Sequence, residues 1–228
     1  MSRKEELAHN LGVIQEKIHA AALGAGRNPS EISLIVVTKT FPVSDAEILY
    51  ELGVREMGEN RDEEGSLKSE QLPIDVKWHF QGQVQGRKIR SISGWADVVH
   101  SLDSTAHAQK FDLETENKVA EFFIQINLEP ARLDRGGIPA TELASFTQYL
   151  RQQTLLKIVG LMTVAPLTHE ARDAFSQLKG LQTVLQESYP EAQALSMGMS
   201  NDFEAAIAAG ATHLRIGSSI LGSRVLPA

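Results

Sequence analysis

Leu7, Leu11, Ile14 and Ile18 recur at steps of four, three and four, so the chain opens with one apolar stripe of helical period. Ser2, with Glu5 three residues on, makes a capping-box start, and Gly24 and Gly26 supply the stop. This predicts a helix within residues 1–26 that packs against the remainder of the domain. The pattern then changes. Short apolar runs at Ile32–Val37, Val54–Met57, Val76–Phe80, Asp97–His100, Glu121–Asn127, Lys157–Met162, Ala194–Met197 and His213–Ile216 alternate with helix-like stretches. A second capping box, Ser44 with Glu47, is expected to open the first crossover helix and Gly53 to close it. Pro139, Thr168 and Asn201 read as later helix starts, and Gly210 as a helix end. Eight such repeats predict the α/β class and a (β/α)8 TIM barrel, with residues 1–228 forming a single domain. An open doubly wound sheet is the alternative, but no GxGxxG follows the first strand.

Composition narrows the function. The formal net charge is −7, which disfavours a nucleic-acid partner. There is no cysteine, so disulfides, thiolate metal sites and cysteine nucleophiles are excluded. No His and carboxylate spacing resembles HExxH, and no metal is expected. The N-terminus shows no signal peptide and no run approaches a membrane span, so a cytoplasmic protein without a membrane partner is expected.

In a barrel the chemistry gathers where strands hand over to loops at the C-terminal mouth. Lys39 directly follows Ile35-Val36-Val37-Thr38. A lysine there loses hydration, which favours the neutral amine that attacks an aldehyde; a lysine that snorkels to solvent is the plainer alternative. Ser196 through Asn201 and Gly217-Ser218-Ser219 follow the last two strands, the corner where barrels hold phosphate. Ordinary turn chemistry would place the same residues there. Arg215 lies within the last strand and needs an acceptor if it points inward, either a ligand or a structural carboxylate. His79, His100 and His213 are strand histidines, a type more often packed than catalytic.

Val36-Val37-Thr38-Lys39-Thr40, Gly58-Glu59-Asn60, Trp78-His79-Phe80-Gln81-Gly82, Gly160-Leu161-Met162-Thr163, Leu195 through Asn201 and Arg215 through Ile220 carry a resemblance to the YggS/PROSC family of pyridoxal phosphate homeostasis proteins. The resemblance implies a barrel like the N-terminal domain of alanine racemase, with pyridoxal 5′-phosphate (PLP) held as a Schiff base on Lys39. It implies that Ser200, Gly217, Ser218 and Ser219 hold the phosphate and that Arg215 faces the pyridine nitrogen. Asn60 and Met162 would lie against the ring, with His79 nearby and Ser196 at the strand end. The partners implied are PLP and PLP-dependent apoenzymes. Three rim positions depart from the family pattern: Arg61, Arg87 and the loop Asp134-Arg135-Gly136-Gly137.

An arginine beside the pyridine nitrogen disfavours its protonation and weakens the ring as an electron sink, so a cofactor carrier is expected rather than an enzyme. Two rival readings are an amino-acid racemase and a Schiff-base aldolase acting on a sugar phosphate; a third is an interaction module with a vestigial pocket. Racemisation needs a second base, and the tyrosines Tyr50, Tyr149 and Tyr189 are predicted in helices or at their ends. The chain is expected to lack the racemase second domain and its dimer contact, and hence to be a monomer.

Overall fold

The computed structural model describes residues 1–114, 121–129, 131–132, 135–166 and 170–222. Eight parallel strands form its centre: β1 (Ser33–Val37), β2 (Glu56–Glu59), β3 (Lys77–Phe80), β4 (Val98–Leu102), β5 (Glu121–Asn127), β6 (Ile158–Met162), β7 (Ala194–Ser196) and β8 (His213–Ile216). Each pairs with the next, and β8 returns to β1 through Leu34↔Leu214 and Val36↔Ile216, so the sheet closes into a barrel without free edges. A two-residue bridge, Ile138–Pro139, extends the end of β5.

The outer layer contains α1 (Arg3–Gly24), α2 (Val43–Glu51), α3 (Asp62–Gln71), α4 (Ile89–Trp95), α5 (Thr105–Asp112), α6 (Leu143–Gln153), α7 (Ala171–Ser188), α8 (Phe203–Ala208) and α9 (Ser218–Leu221). The capping box of Ser2 and Glu5 is present at the start of α1, and its predicted stripe is buried. The second predicted box is absent. Pro42 caps α2 with extended backbone and no side-chain cap bond, so Ser44 already lies inside the first turn. Proline pre-sets φ for the turn into the helix, and that fixes the start two residues earlier than the Ser44 signal. The second strand is also shifted: the apolar run from Val54 predicts it too early, because Val54 serves to close the turn after α2 through its N–H to Leu49 O. Strand pairing places Gly58 opposite His79 and Glu59 opposite Phe80. Thr168 and Asp134 lie outside the described residues.

Two cores result. The larger packs the outward strand residues, such as Met57, Trp78 and Phe80, against the helices. The inner one is small and apolar only around Val98, Phe123 and Met162. Much of the remaining barrel interior is polar: His79, His100, Ser196 and Arg215 are all buried. Barrel interiors are usually filled by branched aliphatic side chains, so this polar column marks where the fold serves something other than stability.

On the outer face, one buried ion pair fixes the exit of β1. Lys68 Nζ on α3 donates to Glu59 Oε1 at 2.6 Å and to Thr38 O at 2.8 Å, and Thr38 Oγ1 donates to the same carboxylate oxygen at 2.5 Å. Burial pushes the Glu59 carboxyl up, against the pull of Lys68 and Thr38. Removing one partner of such a pair leaves an uncompensated charge, at a cost of about 3–5 kcal/mol. Lys68→Met should therefore lower stability by about that amount in urea unfolding, and Glu59→Gln added to it should recover part of the loss.

Candidate cofactor site

The C-terminal ends of the strands surround a cavity of about 600 Å3. Lys39 enters it from the exit of β1. Thr40 follows in the left-handed region, with φ 68°, an uncommon conformation for a β-branched residue. Its N–H donates to Glu64 Oε2 at 2.7 Å, and Phe41 N–H returns to Thr38 O at 3.1 Å, so Lys39 sits within a tight, held turn. Its side chain is half-buried.

The same cavity holds a corner of small polar groups. Ser218 Oγ donates to Ser200 Oγ at 3.1 Å, and the Ser219 N–H points to the same oxygen at 3.4 Å. Gly217 packs close to the end of β1: a Cβ there would lie 3.0 Å from Val37 O. Asp202 accepts the Met199 N–H at 2.6 Å and holds the loop that presents Ser200. Asn60 and Met162 also line the cavity, as does Arg215.

Arg215 is buried, and among the described residues it has no carboxylate partner. Its Nη1 donates to Ser196 Oγ at 2.6 Å and its Nη2 to Thr163 O at 2.8 Å. Burial lowers its pKa to about 10, partly offset by Asp202, so it stays protonated at neutral pH. The structural ion pair considered from sequence is thus not what balances it.

Of the ten residues singled out from sequence, Lys39, Asn60, Met162, Ser200, Arg215, Gly217 and Ser218 line this one cavity. Ser219 sits behind them through its backbone. Ser196 and His79 lie deeper, inside the barrel, with Ser196 Oγ bonded to His100 Nδ1 at 2.8 Å and His79 Nδ1 to His100 Nε2 at 2.9 Å. Gln81, named from sequence only within the Trp78–Gly82 motif and given no role there, lines the cavity, and its buried amide nitrogen has no hydrogen-bond partner. Period two could have found it, since Gln81 follows His79 on the same face of β3. Arg61 and Arg87 do not reach the cavity; they bond Glu64 and Gln85 at the exposed surface. Arg135 donates to the carbonyls of Val164 and Ala165, two cavity-wall residues, and pairs with Glu129.

The donor set fits an aromatic aldehyde phosphate. It offers an amine, hydroxyls with closely approached backbone, and a buried guanidinium around one cavity.

Burial lowers the pKa of His79, holds His100 well below the ordinary histidine value and lowers His213 to about 4. Folded values below the unfolded value of about 6.5 mean that protonation opposes folding. This contribution to stability is complete above that pH and is lost as pH falls towards the folded values, near 4 for His213. Urea midpoints measured at pH 7 and in mild acid should therefore fall with pH, and His213→Phe should remove part of that dependence.

The sequence pattern of the family described as alanine racemase, N-terminal domain, matches residues 3–225. A pyridoxal phosphate homeostasis protein of Mycobacterium leprae is 35% identical, covering 96% of this chain and 93% of its own. PipY of Synechococcus elongatus PCC7942, in a structure with PLP bound, superimposes with a TM-score of 0.81 at 30% identity, covering 95% of this chain and all of PipY. Alanine racemase of Corynebacterium glutamicum shares the fold at 16% identity with a TM-score of 0.72, and only 62% of that enzyme is covered. This chain belongs to the pyridoxal phosphate homeostasis proteins, within the alanine racemase N-terminal domain family.

Proposed function

We propose that this protein binds PLP as a Schiff base on Lys39 and manages the supply of that cofactor rather than turning over a substrate. The observation that carries the reading is the placement of Lys39, the Ser200–Ser218 corner and Arg215 around one cavity. The PLP-bound state of PipY and the naming of the M. leprae relative support it.

When bound, PLP supplies an aldehyde carbon and a conjugated ring. Lys39 provides the amine, and its held turn restricts where that amine can reach. Ser200 and Ser218 offer hydroxyl donors to the phosphate, with the Ser219 N–H behind them, while Gly217 leaves room for backbone approach. Arg215, which carries only donors, would meet the ring nitrogen and disfavour its protonation. Asn60 and Met162 would flank the ring, and the orphaned Gln81 amide would offer a further donor.

A carrier role is favoured over racemisation because, among the described residues, no tyrosine lines the cavity. Tyr50 bonds Asp75, Tyr149 bonds Gln109, and Tyr189 is buried at the end of α7. A single barrel suffices for the carrier role. We read the protein as a cytoplasmic monomer whose recipients are PLP-dependent apoenzymes; among the described residues no helix is long and apolar enough to cross a membrane.

The full chain incubated with PLP should turn yellow, and borohydride should bleach it and leave a pyridoxyl group on the peptide containing Lys39. Lys39→Ala should abolish that adduct. An adduct mapped elsewhere, or alanine racemisation that disappears with Lys39→Ala, would refute the proposal. Ser200→Ala combined with Ser218→Ala should weaken PLP binding about 10- to 100-fold, as judged by equilibrium titration, while the adduct still forms at saturating cofactor.

A further inference from the structure

A side chain leaves the backbone in a direction set by the two peptide planes that bracket its Cα, because only φ and ψ are soft. Lys39 lies between the plane that carries the Thr38 carbonyl and the plane that carries the Thr40 N–H. One helix holds both. Lys68 Nζ on α3 donates to Thr38 O at 2.8 Å, and Glu64, one turn earlier on the same helix, accepts the Thr40 N–H through Oε2 at 2.7 Å. Thr40 takes φ 68°, a conformation that a β-branched residue keeps only where its surroundings impose it. The bond to Glu64 is charge-assisted, and the Glu64 side chain is only 25% exposed, so it is the strong restraint on that turn. Glu64 Oε1 also takes Arg61 Nη1 at 3.1 Å, but Arg61 is 68% exposed and solvent screens that pair.

The helix that grips Lys39 is itself anchored. Trp95 on α4 donates Nε1–H to Asp62 Oδ1 at 3.0 Å, and Gly65 leaves room for the Trp95 ring, which a Cβ there would strike. Lys68 is buried, with its ammonium 2.6 Å from Glu59 Oε1 on β2. We propose that Glu64 and Lys68 are positioning residues that aim the Lys39 amine into the cavity, Glu64 by imposing the left-handed turn at Thr40 and Lys68 by holding the Thr38 carbonyl. The proposal rests on the PLP reading for the step that they serve. In that step the Lys39 nitrogen and the aldehyde carbon form a C=N bond, and the aldehyde oxygen leaves as water with the two amine protons. Neither Glu64 nor Lys68 lines the cavity. Loss of the grip therefore misdirects the amine and leaves the noncovalent contacts with the cofactor in place.

Two probes separate aiming from binding: PLP, which can form the Schiff base, and pyridoxine 5′-phosphate, whose alcohol in place of the aldehyde cannot. In the full chain, Glu64→Ala should slow the appearance of the yellow adduct about 10- to 100-fold in stopped-flow absorbance, while affinity for pyridoxine 5′-phosphate by titration calorimetry changes less than about 3-fold. Glu64→Gln keeps an acceptor oxygen and should restore most of the rate. Thr40→Gly added to Glu64→Ala should restore part of it, because glycine enters the left-handed region without steric cost. Lys68→Met combined with Glu59→Gln should slow the adduct in the same way as Glu64→Ala. An unchanged rate in Glu64→Ala, an equal loss of affinity for both probes, or failure of both rescues would overturn the proposal. Hydrogen exchange on the unaltered chain without cofactor tests the grip by itself: the Thr40 amide should be protected, and an amide that exchanges as freely as an unstructured one would also overturn it. If the unaltered chain forms no adduct at Lys39, the proposed function fails, and the Thr40 amide still decides whether the grip exists.

Discussion

A guanidinium enclosed by a barrel loses its hydration, and only acceptors placed to meet its fixed fork make that tolerable. Arg215 receives one from a hydroxyl and one from a backbone carbonyl, Ser196 and Thr163, rather than from a carboxylate. A carboxylate would neutralise the charge and satisfy the fork from within. Among the described residues none contacts Arg215, which leaves donor capacity for a ligand at the cavity floor. The interior built beneath Arg215 follows from that choice: hydroxyl, imidazole and imidazole succeed one another where aliphatic layers would otherwise fill the barrel.

Stability is consequently drawn from elsewhere. The apolar core lies mainly between strands and helices, where Trp78, Phe80 and Trp95 pack edge to face. The Lys68–Glu59–Thr38 contact fastens that outer layer to the exit of β1, one residue before Lys39. Two buried polar systems thus serve the same cavity from opposite faces of the barrel wall. The outer one fastens the exit of β1 just before the lysine, and the inner one supplies acceptors to Arg215.

Alternation along parallel strands lets one chain do both. In β2, Glu59 turns outward to Lys68 while Glu56 approaches His79. In β8, His213 and Arg215 share one face, while Leu214 and Ile216 belong to the apolar core on the other. The register joining β2 to β3 and β8 to β1 then brings these inward faces to related heights. Each inward series runs on into a cavity residue: Asn60 after β2, Gln81 after β3 and Gly217 after β8.

The amino-acid pattern alone determined the eight strands, the capped first helix and the end of the barrel where polar groups gather, because each depends on short-range periodicity and local caps. It also singled out Lys39, Arg215 and the serine-glycine corner, since polar residues directly after apolar runs stand out in one dimension. It misplaced the starts of α2 and β2, where Pro42 and the neighbouring strands override the local signal. Which acceptors surround Arg215, whether Gln81 meets the cavity, and which ring nitrogens of His79 and His100 meet were decided only by the closed barrel. Those contacts join residues tens of positions apart, and the geometry of a hydrogen bond between them is set by strand register rather than by either residue's neighbours.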